Sequence, residues 1–403
     1  MLVRAEPLEG LTTKGTEPRS PMCLDCDEYG DCPLPAALEA MLGDGPWEDD
    51  AICAALAQFR VDNAATYGFT DPPPGPIRLP GEFEPAEALY LAYTAIDDYD
   101  AIFGSLLQAA SNHGPVRVLY LPGARKRLEA RLWLHDLTWS EIQRVHTAPF
   151  NSIWVRDFGP ISVHTPEGAA WIDTRYVGDC LLDDALPTRL AASQPGVRVY
   201  RSPLRLDGGN LISDGQGSCF VASGVARRNS MSGEDLQVQL QRWFGCDRLV
   251  VLHPLAGNVI EHVDMFLQLA DKDLILLGSY EQGEHPENER RLEANFATLS
   301  ALRTPEGHPY RIMRVPMPPP LPPTDAEPDP LLRSYLNLVV FNDGVVVPTY
   351  GDDPQRERRV LDIIADAYPG REIVAVDSSR LANDLGALHC VTFTVPAMAE
   401  DQL

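Results

Sequence analysis

Between Leu79 and Pro396 short apolar runs alternate with turn-forming clusters, and four times two such runs flank a tight polar turn. Gly159–His164 and Ala169–Asp173 flank Pro166-Glu167-Gly168, and Gly209–Ser213 and Ser218–Ala222 flank Asp214-Gly215-Gln216-Gly217. Val263–Leu269 and Leu274–Leu277 flank Asp271-Lys272-Asp273, and Leu338–Phe341 and Val345–Val347 flank Asn342-Asp343-Gly344. Two extended runs around Asn, Asp and Gly predict a β-hairpin, because those residues reach the turn's backbone angles at little cost. Helical stretches follow three of the hairpins, at Gly233–Phe244, Pro286–Leu302 and Asp353–Tyr368.

The hairpin–helix unit recurs every ~50–70 residues, a period of repeated supersecondary units rather than of one open sheet. The closing run Val391–Val395 has no hairpin partner downstream, but Ala88–Ala92, far upstream, can supply one. That pairing would close a ring of five units without exposed edges, so an α/β chain built as a five-bladed propeller is expected. Strand starts would then converge on a central channel. A doubly wound parallel sheet is disfavoured, since βαβ spacing and a Gly-rich phosphate loop are not evident.

The first 78 residues read differently. They are polar and broken by Gly and Pro, with candidate helices at Ala36–Met41 and Asp50–Arg60 and a stiff linker at Asp71–Pro76. They are expected to be an N-terminal extension of unassigned role, with residues 79–403 as the catalytic domain. A second Pro-rich run, Pro316–Pro330, suits either a lid or a plain insertion.

At 403 residues, 44% hydrophobic and 23% charged, the chain can bury one large core or two ordinary ones. It has no apolar run of membrane-spanning length and no secretory h-region at Met1–Pro7, which favours a cytoplasmic location, although a signal already removed would leave the same sequence. The net charge of −25 argues against nucleic acid as a partner. It is compatible with plain solubility or with a field that draws in cations. A homo-oligomer is left open. Cys53, Cys180, Cys219 and Cys246 read as ordinary buried thiols. Cys23-Leu24-Asp25-Cys26 with Cys32 fits a zinc fragment lacking a fourth ligand, a disulfide, or free thiols.

Polar motifs stand where the apolar strands begin. They are Trp154-Val155-Arg156-Asp157, Asp207-Gly208-Gly209-Asn210, Glu261-His262-Val263-Asp264, Ser334-Tyr335-Leu336-Asn337 and His389-Cys390. Together they offer two carboxylates for a cation clamp, a histidine and a cysteine. Guanidinium is planar and resonance-stabilised, so attack on its carbon requires carboxylates that fix its nitrogens, a thiolate, and a group that protonates departing ammonia. Asp157 and Asp264 are the candidate clamp and Trp154 can present a face to the cation. On an extended strand His262 and Asp264 would face the same way. His389 and Cys390 would face opposite ways, making His389 a structural residue. The spacing of a metal-binding histidine motif is absent.

These motifs, with Pro80-Gly81-Glu82-Phe83-Glu84-Pro85 ahead of them, resemble the agmatine deiminase and bacterial peptidylarginine deiminase family of guanidine-modifying hydrolases, over about Leu79 to Pro396. The resemblance implies the pentein fold, a five-bladed α/β-propeller, with Cys390 as nucleophile and His262 as general acid/base. It implies Asp157 and Asp264 as guanidinium ligands, Asn337 as support, Trp154 as lining, Arg156 as a substrate contact, and no cofactor. Two departures stand out: Leu385 lies in a segment before His389-Cys390 that is usually glycine-rich, and Glu261 precedes His262 where glycine is common. The Asp173–Asp184 stretch lacks the pattern expected of agmatine enzymes, and Arg175 is its candidate carboxylate partner. The expected reaction is therefore deimination of peptidyl arginine to citrulline through a thiouronium. Agmatine deimination, amidino transfer, and an inactive guanidinium-binding protein are the alternatives.

Overall fold

The computed structural model describes residues 1–6, 58–95, 99–120, 122–138, 142–146, 150–176, 181–194, 196–257, 260–322 and 331–398. The strands are β1 (Leu2–Arg4), β2 (Ala86–Tyr93), β3 (Val116–Tyr120), β4 (Ile142–His146), β5 (Ile161–Thr165), β6 (Gly168–Arg175), β7 (Arg198–Arg205), β8 (Ile212–Ser213) and β9 (Ser218–Ala222). They continue with β10 (Arg248–Leu252), β11 (Leu267–Asp271), β12 (Leu274–Ser279), β13 (Arg311–Pro316), β14 (Val339–Phe341), β15 (Gly344–Thr349), β16 (Glu372–Asp377) and β17 (Thr392–Pro396). The helices include α1 (Asp100–Ser111), α2 (Leu186–Ala191), α3 (Gly233–Phe244), α4 (Pro286–Ala301) and α5 (Pro354–Ala367), and a further one, Arg125–Leu134, between β3 and β4.

These strands form five sheets, ordered β17-β2-β3-β4, β5-β6-β7, β1-β10-β9-β8, β11-β12-β13 and β14-β15-β16. All four hairpins expected from the sequence are present. So is the long-range pair: β17 runs antiparallel to β2, with Thr392 opposite Leu91 and Phe393 opposite Tyr90. The sequence did not reveal the third strand of each sheet. β3, β7, β10, β13 and β16 lie parallel to β2, β6, β9, β12 and β15. A parallel neighbour requires a crossover, and α1 to α5 lie in those crossovers. The βαβ spacing judged absent thus occurs in every unit, and twice in the first sheet, where β4 also lies parallel to β3. β7 and β13 were hidden because they are partly exposed strands whose apolar residues are interrupted by arginines.

The middle strands explain why the sequence was legible at all. Along β12, Leu274 and Leu276 enter one core while Ile275 and Leu277 enter another. β2 does the same, with Leu89 and Leu91 on one side and Ala88, Tyr90 and Ala92 on the other. A strand buried on both faces reads as an unbroken apolar run. Each of the five cores draws residues from two sheets, as where Val163 and Ile172 meet Val221 and Leu249.

The N-terminal extension is tied to the rest of the chain at both described ends: β1 pairs with β10, Val3 opposite Val250, and Tyr67 is buried. Cys219 and Cys246 are a disulfide rather than two thiols. β9 carries Cys219, and the turn at Gly245 after α3 returns Cys246 to a Cα–Cα separation of 5.6 Å, within bridging range. Cys23, Cys26, Cys32, Cys53, Cys180, the Ala36–Met41 helix and residues 323–330 lie outside the described residues, and Asp50–Arg60 is described only from residue 58, where it is helical. Among the described residues no helix is long and apolar enough to cross a membrane.

Candidate active site

The polar motifs sit in single turns that lead into strands, not on the strands themselves. Val155–Phe158 is one helical turn, Gly208–Asn210 and Val263–Met265 are 3-10 turns, and His389 and Cys390 lie in a turn ahead of β17. His262 is extended and Asp264 lies inside the turn that follows, so the shared strand face expected for them is replaced by a turn. A turn gathers neighbouring polar groups at a strand end, whereas a strand would send alternate ones to opposite faces. Entry into two of these turns uses left-handed backbone at Glu261 (φ 54°) and Leu385 (φ 65°). Both are positions where the sequence departs from the family's glycine, the residue that takes such angles without Cβ strain. Glu261 is held by Arg227 Nη2 at 2.6 Å and by Asn210 Nδ2, which donates to its carbonyl at 3.1 Å.

The turns converge. A Cβ added to Gly209 would lie 2.8 Å from His262 Nδ1, 2.9 Å from Asp264 Oδ2 and 3.1 Å from Asp157 Oδ1. Only a glycine leaves this point clear of side chain. His262 Nε2 lies 3.0 Å from Asp207 Oδ2, while Nδ1 is 3.5 Å from Asp157 Oδ1. Asp264 Oδ2 is 2.7 Å from His389 Nδ1, and His389 Nε2 is 2.7 Å from Glu82 Oε2. Glu82 also pairs with Arg156. Asn337 Oδ1 accepts from the backbone N–H of His389 at 3.1 Å and of Cys390 at 3.3 Å. Cys390, His262, Asp264 and Asn337 are almost completely buried. Among the described residues Asp157 Oδ1, Asp264 Oδ1, His262 Nδ1 and Asn337 Nδ2 have no hydrogen-bond partner. Buried unpaired carboxylate oxygens are costly, and Asp157 Oδ1 and Asp264 Oδ1 are two of them.

The charges follow from this packing. Burial opposes a charged His262, but Asp157, Asp207 and Asp264 outweigh it and raise its pKa to about 9. Burial raises Asp157 to about 7, with His262 working in the opposite direction. Burial, then the charges of Asp264 and Asp157, hold the Cys390 thiol well above its ordinary value. His389 is also raised, because Glu82 and Asp264 overcome burial and the Arg156 charge. Glu82 is pulled below the usual carboxylate range, Arg156 and His389 prevailing over burial.

Of the residues expected from sequence, Asp157, His262 and Asp264 meet at Gly209, and Cys390 is close enough to feel both carboxylates. Trp154 packs on the backbone of Gly386, where a Cβ would come within 2.3 Å of its ring. The Arg156 guanidinium faces Glu82 and the His389 carbonyl, 3.4 Å from Nε. Arg175 ends β6 opposite Arg205, and its carbonyl accepts from Leu206, the residue before Asp207. Sequence reasoning assigned no role to Asp207, Glu82 or Gly209. For Asp207 a signal existed, since like Asp157 and Asp264 it stands just ahead of an apolar run. Among the described residues no group of three or more His, Cys, Asp or Glu side chains could hold a metal ion.

Residues 78–396 match the family described as Porphyromonas-type peptidyl-arginine deiminase. An agmatine deiminase of Stutzerimonas stutzeri is 25% identical over 363 residues, covering 79% of this chain and 95% of its own. One from Pseudomonas aeruginosa is 24% identical over 360 residues, with 79% and 95% covered. The solved agmatine deiminase of Enterococcus faecalis superposes with a TM-score of 0.70 at 21% identity, over 81% of this chain and 99% of its own. With the family match spanning well over half its length, the chain belongs to the Porphyromonas-type peptidyl-arginine deiminase family, amidine hydrolases of the α/β pentein superfamily.

Proposed function

We propose that this enzyme hydrolyses the guanidino group of agmatine, giving N-carbamoylputrescine and ammonia. The carrying observation is that full-length curated relatives, aligned over 79% of this chain and 95% of their own, are agmatine deiminases. This reverses the preference for peptidyl arginine expected from Arg175. That second reading is favoured by one observation, the position of Arg175 beside the residue that precedes Asp207. The partner is a small guanidino cation in the first reading and an arginine-containing peptide in the second, and the acidic chain suits the cationic group of both electrostatically.

In this reading residues 79–403 form the catalytic domain and the five sheets are blades of an α/β-propeller. Support comes from the repeated hairpin-plus-parallel-strand unit, the β17–β2 pair and cores shared between sheets. Asp157 and Asp264 hold the guanidinium nitrogens, with Trp154 lining the site and Asn337 bracing the Cys390 turn. The entering cation offsets the two charges that keep the thiol protonated, so cation enters and proton leaves. The Cys390 thiolate adds to the guanidinium carbon. Protonated His262 gives its proton to one nitrogen, which departs as ammonia and leaves a thiouronium. Neutral His262 then takes a proton from water, the hydroxide adds to the same carbon, and the C–S bond breaks to restore the thiolate as the new hydroxyl gives its proton to solvent, where ammonia takes it up as ammonium.

The test measures ammonia release and kcat/KM for agmatine against a peptide with C-terminal arginine. Faster use of agmatine is expected. A clear preference for the peptide, lost in Arg175→Ala, would install the second reading.

A further inference from the structure

Residues 58–76 precede the stretch that matches the family, which begins at 78. They nevertheless pack against a loop that supports the site. The Tyr67 hydroxyl donates to the Leu181 carbonyl at 2.9 Å. The guanidinium of Arg201, on β7, lies 5.8 Å from the centre of the Tyr67 ring and 5.9 Å from that of Phe69. The same guanidinium bridges Asp173 and Asp184, each at 2.7 Å. Thr70 N–H donates to the Arg201 carbonyl at 2.9 Å, and Thr70 Oγ1 accepts from Arg201 N–H at 3.1 Å.

The contacts continue toward the site. Asp183, beside Asp184, points the other way: its Oδ1 accepts from Asn151 N–H at 2.6 Å, and the Ser152 N–H also bonds this carboxyl. Ser152 Oγ accepts from Trp154 N–H at 3.0 Å, one residue before the turn that carries Asp157. Asp183 is fully buried, and burial raises its pKa to about 7. An unbroken series of bonds therefore runs from Tyr67, outside the family match, to the backbone that aims Asp157.

We infer that residues 58–70 are a clasp that fixes the 181–184 loop, and that Tyr67 and Asp183 are positioning residues for the Asp157 side of the cation clamp. The inference rests on the guanidino hydrolase reading above. It gives a role to a segment that the sequence left as an extension of unassigned role. Displacement of a reacting group by about 1 Å can cost about a hundredfold in rate, so a loosened loop need not unfold anything to be felt.

Inactivation of the full-length chain at Cys390 by cationic 2-chloroacetamidine and by neutral iodoacetamide, alongside KM and kcat for agmatine, tests this. Only the cationic reagent uses the clamp. Asp183→Ala should slow chloroacetamidine about tenfold and raise KM, with iodoacetamide within about twofold of wild type. Asp183→Asn, which keeps the carbonyl acceptor, should restore both. Tyr67→Phe should shift the reagent ratio in the same direction by about threefold. Unchanged ratios and KM in folded variants overturn the clasp, as does equal slowing of both reagents. If Asp183→Ala does not fold, Tyr67→Phe alone decides by the same criterion. A wild-type enzyme that releases no ammonia from any guanidino compound defeats the functional reading and the clasp with it, whereas active wild type with unmoved variants defeats only the clasp.

Discussion

Two histidines share the site, and each is buried between carboxylates, yet they are not equivalent. His389 is saturated, with Asp264 on Nδ1 and Glu82 on Nε2, both at 2.7 Å. His262 is anchored only through Nε2 to Asp207, and its Nδ1 is unpartnered at the point where Asp157 and Asp264 converge. A histidine that spends both nitrogens on its neighbours can orient them and fix their charge. One with a nitrogen in reserve can exchange a proton with something new. Residue type and burial are the same; the number of satisfied nitrogens is what differs.

The largest expected effects break this comparison outright. Cys390→Ser should leave a folded protein without turnover, because serine lacks an accessible alkoxide near neutral pH. His262→Asn should lower kcat by about 10²–10⁴-fold, while His389→Gln lowers kcat much less and mainly costs thermal stability. Steady-state rates with melting curves check both, and the reverse ranking would exchange the two assignments. Asp207→Asn comes next. Loss of a charged hydrogen bond of about 1.5–3 kcal/mol corresponds to about 10- to 150-fold in kcat, and the alkaline limb of the pH profile should move to lower pH.

The pH profile sharpens the contrast further. Activity needs Asp157 ionised and His262 protonated, so kcat/KM should rise as pH passes about 7 and fall as it passes about 9. The sign for stability follows separately. His262 is raised from 6.5, so its contribution is complete below 6.5 and is lost as pH rises through about 9. Asp157, raised from 3.8, favours the folded state in acid and loses that contribution as pH rises through about 7. The melting temperature without substrate should therefore decline between neutral pH and 9, and less steeply in His262→Asn. The smallest effect is expected for Glu82→Gln, which removes a charge from the saturated histidine. It should lower the melting temperature by a few degrees and leave the alkaline limb in place.

Much of the fold was legible because the middle strands are buried on both faces and announce themselves as unbroken apolar runs, as at Leu274–Leu277 and Val345–Val347. Hairpin turns such as Asn342-Asp343-Gly344 and the ends of α3 and α5 also follow from local chemistry, with Ser232 and Asp353 capping the helix starts. Third strands such as β7 and β13 were illegible because partly exposed strands need no apolar pattern. The Cys219–Cys246 bridge was illegible because its partners meet through a turn and a crossover, not through spacing.

The site divides along the same line. Sequence alone named the chemistry, since a cysteine, a histidine and two aspartates ahead of apolar strands suffice to suggest an attack on a cation. It also marked Glu261 and Leu385 as unusual, and both proved to be left-handed entries to the catalytic turns. Only tertiary structure decided which atoms are satisfied. That Arg156 faces Glu82, that Asp207 anchors His262, and that Tyr67 reaches Leu181 depend on partners 74, 55 and 114 residues apart. Periodicity and composition describe how a segment meets water. Hydrogen-bond saturation at a buried atom depends on which distant segment arrives beside it, and that is set when the sheets pack.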